Sequence, residues 1–296
     1  MAFPEFLPAS VKDLSEETSI ALAQAIDRCL ISTPLSDRAI ATTFVRRGTG
    51  DPAILLLHGF DSSVLEFRRL LPKLASKTET IAVDLLGFGF GDRPDNIPFS
   101  PTAIKTHLYA VWQTLISRPV VLVGASMSGA AAIDFTLTYP EAVDKLVLLD
   151  SAGLSPGPAI GKFLFPPFDR LATGFLRNPK VRQSISENAY FDKTFASVDA
   201  RLCAALHLEN PGWHRALVAF TKSGGYGSFA EKLGKIGCPT LIVWGRDDRI
   251  LGTKPAAKFQ QAIPNSRLVW IDRCGHVPHL ERPDITAERI LQFMGH

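Results

Sequence analysis

The sequence predicts an α/β fold, a mostly parallel central sheet flanked by helices, with a helical cap inserted late in the chain. Three observations carry this. Six short apolar runs, at 53–57, 80–83, 120–123, 145–149, 240–244 and 267–271, are rich in β-branched residues and Leu and are bounded by Gly, Pro, Asp or Ser. Near-continuous apolar runs of this length suit a parallel sheet covered on both faces. Between them, 67–76, 102–116, 130–139 and 253–262 carry helical patterning. The third observation is a break in this rhythm: no buried strand is evident from 151 to about 222.

Upstream, 39–46 is a candidate strand and 16–29 a candidate helix. The gap of about 70 residues far exceeds the median of about 4–6 for an ordinary connection, so it reads as an insertion. Residues 1–151 and 223–296 are therefore assigned to the core and 152–222 to the cap. The cap opens on GKFLFPPFDRL (161–171), unusually apolar for a linker. Those side chains either anchor the cap to the core or line a hydrophobic substrate pocket.

Composition narrows the function classes. Of 296 residues, 46% are apolar and 21% charged, which excludes a disordered chain. The net charge of +3, without a run of like charges, is no footprint for nucleic acid. Cys29, Cys203, Cys238 and Cys274 lie far apart with no metal-ligand spacing, and are expected as free thiols in a reducing compartment. The opening MAFPEFLPAS has neither a basic region nor a sustained apolar stretch, so no signal peptide is expected. The most apolar run, 120–133, is too short to span a bilayer. The expected location is the cytoplasm, with peripheral contact to a thylakoid-type membrane through the cap left open.

The chemistry begins at PVVLVGASMSGAAAIDF (119–135), which reads strand, sharp turn, helix. Gly124–Ala125–Ser126–Met127–Ser128–Gly129 has the pattern of a nucleophile elbow. To expose its hydroxyl at the tip, Ser126 must adopt a strained backbone, and small flanking residues let the helix pass close to the strand. The helix start places N–H groups and the positive dipole end beside the reacting oxygen. The usual spacing is G-x-S-x-G; here Ser128 stands at the last position and Gly129 follows.

A serine hydroxyl needs a base and an orienting acid, and in this architecture they follow in the order Ser, acid, His. TLIVWGRDDRI (240–250) ends a strand in a turn with two aspartates, and RLVWIDRCGHVPHLERP (267–283) delivers His276 after the next. The carboxyl edge of the sheet is where such sites lie. Asp248 fits the W-G-x-x-D spacing for the acid; Asp247 is read as a cap for the following turn, and Asp150, at another strand end, stands in reserve. His276 is the candidate base and His279 a rim or packing residue. His107, His207 and His214 have no motif around them. The oxyanion donors are expected from the backbone N–H groups of Phe60 and Met127, each worth about 3 kcal/mol of barrier. His58 and Asp84 read as loop architecture.

Together HGF (58–60), DLLGFGFGDRP (84–94), GASMSG (124–129), WGRDD (244–248) and GHVPHLERP (275–283) resemble the α/β-hydrolase superfamily over nearly the whole chain. LLLHGFDSSVLEFRRL (55–70) and FTKSGGYGS (220–228) are similar to a plant and cyanobacterial branch that includes chlorophyll dephytylase. The resemblance implies the α/β-hydrolase fold and, for the branch, hydrolysis of the phytyl ester of chlorophyll to chlorophyllide and phytol. Members with aspartate at the elbow, such as haloalkane dehalogenases and epoxide hydrolases, are disfavoured by Ser126. The expected activity is that of a serine carboxylesterase working through an acyl-enzyme on a large hydrophobic ester, without metal or cofactor. The rivals are a small-ester esterase, a carbon–carbon bond hydrolase on the same triad, and a receptor-like slow hydrolase that mainly binds its ligand.

Overall fold

The computed structural model describes residues 2–155 and 168–296. The apolar runs assemble into one eight-stranded sheet in the order β1-β2-β4-β3-β5-β6-β7-β8. The strands are β1 (Asp27–Thr33), β2 (Ser36–Arg47), β3 (Ile54–Leu57), β4 (Thr80–Val83), β5 (Val120–Ala125), β6 (Val143–Leu149), β7 (Thr240–Gly245) and β8 (Ser266–Ile271). The β1/β2 and β2/β4 pairs are antiparallel, and every pair from β4 onward is parallel. In β3, β4, β5 and β7 every residue is buried, as a strand covered on both faces requires.

The helices of the core are α1 (Glu17–Ala23), α2 (Leu71–Ala75), α3 (Pro101–Leu115), α4 (Met127–Thr138), α9 (Lys254–Ala262), α10 (Pro278–Glu281) and α11 (Pro283–Met294). Between β6 and β7 lie α5 (Phe168–Arg177), α6 (Pro179–Ala189), α7 (Val198–Ala205) and α8 (Trp213–Lys222), with no strand among the described residues of that stretch. The apolar opening at 161–167 lies outside the described residues. No described helix is long and apolar enough to cross a membrane, and the four cysteines are unpaired.

Two sequence readings need correction. The helix expected over 16–29 ends at Ala23, and Asp27 onward is strand β1. Helical and strand periods both fit that stretch; the outcome follows from pairing with β2, which buries Ile31 on one face and leaves Leu30 exposed on the other. The helix expected over 67–76 is a 3-10 turn, Val64–Phe67, followed by the short α2. Pro72 suits a first helical turn and cannot sit in a helix interior, so the helix restarts there.

The N-terminal segment is fastened to the insertion. The Asp199 carboxylate, on α7, accepts bonds from Ser15 N (3.0 Å), Ser15 Oγ (2.6 Å) and Glu16 N (2.8 Å). Glu16 in turn accepts from Ser197 Oγ (2.6 Å) and Arg69 Nη2 (2.9 Å). Asp199→Ala strands these donors; it should cost about 1–3 kcal/mol in urea unfolding and speed amide exchange at Ser15 and Glu16 ahead of the sheet. Unchanged exchange at those two amides would contradict the fastening.

Candidate active site

Ser126 stands between β5 and α4 with φ 51° and ψ −118°, the strained conformation anticipated for it. The close approach behind it is enforced at Gly124 and Gly129. A Cβ on Gly124 would lie 2.2 Å from the Ser128 carbonyl oxygen, and one on Gly129 would lie 2.5 Å from Ser151 Cβ. The second obligatory glycine is thus one residue later than the usual motif has it. Ser128 is buried, and its hydroxyl donates to the His58 carbonyl, tying the elbow helix to the loop that follows β3.

The three residues predicted from sequence come together. His276 Nε2 lies 2.8 Å from Ser126 Oγ, and Nδ1–H donates to Asp248 Oδ2 at 3.0 Å. Asp248 Oδ1 accepts from the N–H groups of Ile250 (2.7 Å) and Leu251 (3.1 Å). The turn-capping role expected of Asp247 therefore falls to Asp248; Asp247 is half-exposed and its N–H bonds to the Cys274 carbonyl. The W-G-x-x-D spacing favours Asp248, and the strand end buries that side chain while leaving Asp247 half-exposed. Asp150 is fully buried beside Asp248 and accepts from Gly245 N at 3.0 Å. Burial, and next the charge of Asp248, push its pKa well above the ordinary value and favour the neutral acid.

Met127 is the first residue of α4, so its N–H has no acceptor within the helix. Gly59, one residue before Phe60, packs against the nucleophile: a Cβ there would be 3.5 Å from Ser126 Cβ. Met127 thus adjoins Ser126 in the chain, and Gly59, the residue before Phe60, adjoins it in space. His58 holds this loop as expected, with Nδ1–H donating to the Gly59 carbonyl (2.8 Å) and Nε2 accepting from Leu85 N (3.1 Å). Asp84 accepts from Val64 N and Phe90 N, each at 2.7 Å, and from the Thr43 hydroxyl.

Glu66, on the 3-10 turn Val64–Phe67, has no role assigned to it from sequence, because its partner His279 lies far along the chain. It accepts from Gly59 N at 2.9 Å and lies 3.0 Å from His279 Nε2. His279 is buried against the Phe67 ring, a packing position. Burial alone would raise the Glu66 carboxyl; the bond and charge of His279, then the charge of His58, overcome that and hold it at about 2. Of the remaining histidines, His107 lies 2.8 Å from the Thr42 hydroxyl and His214 2.7 Å from that of Thr173, both away from the triad.

Two cavities meet at Phe60. One of about 660 Å³ is lined by Phe60, Met127, Leu154, Leu176, Leu217 and Phe220 among others and is overwhelmingly apolar. The other, about 300 Å³, is lined by Ser126, His276, Phe60, Arg68, Tyr190 and Ile250 among others. The larger one reaches the elbow at Met127 and the smaller holds the nucleophile itself.

Residues 54–289 match the alpha/beta hydrolase family. The chain belongs to that family. It is 33% identical over 299 residues to the alpha/beta hydrolase domain-containing protein VTE7 of Arabidopsis thaliana, covering 98% of this chain and 90% of that protein. It is 28% identical over 246 residues to the 2-hydroxy-6-oxo-2,4-heptadienoate hydrolase of Pseudomonas putida, covering 79% of this chain and 86% of the relative. Among solved structures, a serine hydrolase involved in carbazole degradation (the CarC enzyme) superposes with a TM-score of 0.76 at 25% identity, over 92% of this chain and 99% of that one.

Two outcomes are expected. Gly129→Ala should destabilise the fold by about 1–3 kcal/mol and depress turnover together, measured by urea melts and ester hydrolysis; a wild-type midpoint would mean the elbow has slack. Because Glu66 is depressed in the folded state, its contribution is present above the unfolded value near about 4.3 and is lost as pH falls toward about 2. Glu66→Gln should therefore flatten the acid limb of the stability curve across that window; an unaltered limb would discount the carboxylate.

Proposed function

We propose that the protein is a serine-dependent carboxylic-ester hydrolase acting through an acyl-enzyme on a large hydrophobic ester. The single observation behind this reading is the Ser126–His276–Asp248 hydrogen-bonded chain beside an apolar cavity of about 660 Å³. In this reading His276 Nε2 takes the Ser126 proton as Oγ attacks the ester carbonyl. Asp248 holds the imidazole so that Nε2 is the basic nitrogen and stabilises the imidazolium that forms. The N–H groups of Phe60 and Met127 hold the developing oxyanion. His276 then returns its proton to the departing alcohol, and water, deprotonated by the same imidazole, releases the acid.

The substrate we favour is the phytyl ester of chlorophyll, cleaved to chlorophyllide and phytol. Its support is the similarity of 55–70 and 220–228 to the dephytylase branch and the apolar character of the larger cavity. The insertion at 152–222 serves as a cap over the site. Leu171 and Phe175 line that cavity and are also strongly exposed, which supports contact between the cap and a lipid surface from which such an ester is drawn.

A carbon–carbon bond hydrolase on the same triad is the second reading. It draws on the named dienoate hydrolase relative and on Arg68, a buried guanidinium lining the nucleophile's cavity. A carboxylate-bearing substrate would suit that charge.

Purified protein should release chlorophyllide from chlorophyll and prefer long-chain over short-chain p-nitrophenyl esters, while Ser126→Ala loses about a millionfold in turnover. Retained activity in Ser126→Ala would overturn the nucleophile. Cleavage of a 2-hydroxy-6-oxo-dienoate, with chlorophyll untouched, would favour the second reading.

A further inference from the structure

The residue after Phe60 does something the ester mechanism does not use. Asp61 sits in the core loop after β3, buried, with left-handed backbone (φ 49°). Its carboxylate accepts from three donors, and all three belong to the helical insertion. Arg182 on α6 donates from Nη2, His207 from Nε2 at 3.1 Å, and Trp213 on α8 from Nε1 at 2.7 Å. Arg182 then extends the connection, with Nε donating to the Leu176 carbonyl on α5 (2.9 Å) and Nη1 to the Ala204 carbonyl on α7 (2.7 Å). All four α-helices among the described residues of the insertion reach this carboxylate directly or through one guanidinium. Burial alone would raise its pKa; the bond and charge of His207, the charge of Arg182 and the bond of Trp213 outweigh that and keep it ionised.

A carboxylate anywhere on the core surface would serve to fasten a cap. This one is the next residue after a proposed oxyanion donor, so its anchoring limits where the Phe60 N–H can point. On its other side the same peptide is held at the Gly59 carbonyl by His58 Nδ1–H (2.8 Å) and at Gly59 N by Glu66 (2.9 Å), so Asp61 completes the constraint from the side of the insertion. On the opposite side of the site, the Ala189 carbonyl at the end of α6 accepts the His276 N–H at 2.7 Å. A Cβ on Gly275 would lie 2.2 Å from that same carbonyl oxygen. The insertion therefore grips the loops carrying both the donor and the base.

We propose that Asp61 is a positioning residue that couples seating of the cap to the aim of the Phe60 N–H, so that the oxyanion site is complete only with the cap closed on it. This rests on Ser126 as nucleophile and 152–222 as the cap. Catalytic donors must sit about 2.7–3.1 Å from the oxyanion, and a misplacement of about 1 Å costs on the order of a hundredfold.

The test uses the full chain, an activated ester and a trifluoromethyl ketone, whose tetrahedral adduct with a serine places an oxyanion where the intermediate's would be. Asp61→Asn should lower kcat by about 10- to 100-fold with a much smaller change in KM, and ketone affinity should fall in parallel. Binding of the matching methyl ketone, which resists adduct formation, should stay near wild type. Trp213→Phe removes one donor while keeping the ring's bulk, and should show the same split in weaker form. Wild-type kcat and ketone affinity in a folded Asp61→Asn would overturn the proposal. Should Asp61→Asn fail to fold, Trp213→Phe decides: a loss in stability alone, with kcat and ketone affinity unchanged, overturns it. Ser126→Ala, run alongside, separates the two levels, since full activity there overturns the nucleophile rather than the coupling.

Discussion

The close passage of α4 behind the tip of β5 is the constraint on which the rest of the site depends. It forces Ser126 out of the ordinary backbone regions and points its hydroxyl away from the sheet. It also excludes side chains at Gly124 and Gly129, since each would meet neighbouring atoms well inside contact distance. That strain is sustained by the buried strands on either side, β3 and β6, with Ser126 N itself bonded to the Leu149 carbonyl at 2.9 Å. The sheet acts as a rigid support for a local geometry that no short peptide would hold.

Around this rigid point the loops are cross-braced by polar side chains. Ser128 ties the elbow to His58, His58 ties its loop to Leu85, Glu66 holds Gly59, and Glu281 accepts from Gly275 N at 2.7 Å and Asp192 N at 2.8 Å. Each brace satisfies buried N–H or C=O groups that irregular backbone would otherwise leave unpaired. Ser128 is instructive, because a departure from the common spacing supplies a bond that glycine could not make.

Much of this was legible in the sequence, for identifiable reasons. The strands β4 and β7 and the triad order could be read because parallel sheets bury whole runs and because strand ends carry the chemistry. The helix expected over 102–116 is α3, beginning at Pro101 where the Ser100 side chain accepts from Ala103 N. The edge strand β1 was not, since its residues alternate in burial only once β2 is beside them. Asp61 and Glu66 were not legible either: their partners lie 121 residues away at Arg182 and 213 residues away at His279, and a local pattern does not record a contact of that span. The pairing of Asp248 with His276 was legible from the W-G-x-x-D spacing; that Asp248 rather than Asp247 also caps the following turn needed the turn itself.

The fastening of Ser15 and Glu16 to Asp199 has a consequence for how the chain acquires its shape. Ser15 is synthesised 184 residues before its partner Asp199. At about 5–20 residues per second that is an interval on the order of ten to forty seconds. Throughout it, the first helix and the loop before it lack the carboxylate that holds them. Strands β1 to β6 are made while the segment before them is unmoored, and β7 and β8 follow Asp199. Fastening of the N-terminal segment cannot precede synthesis of α7.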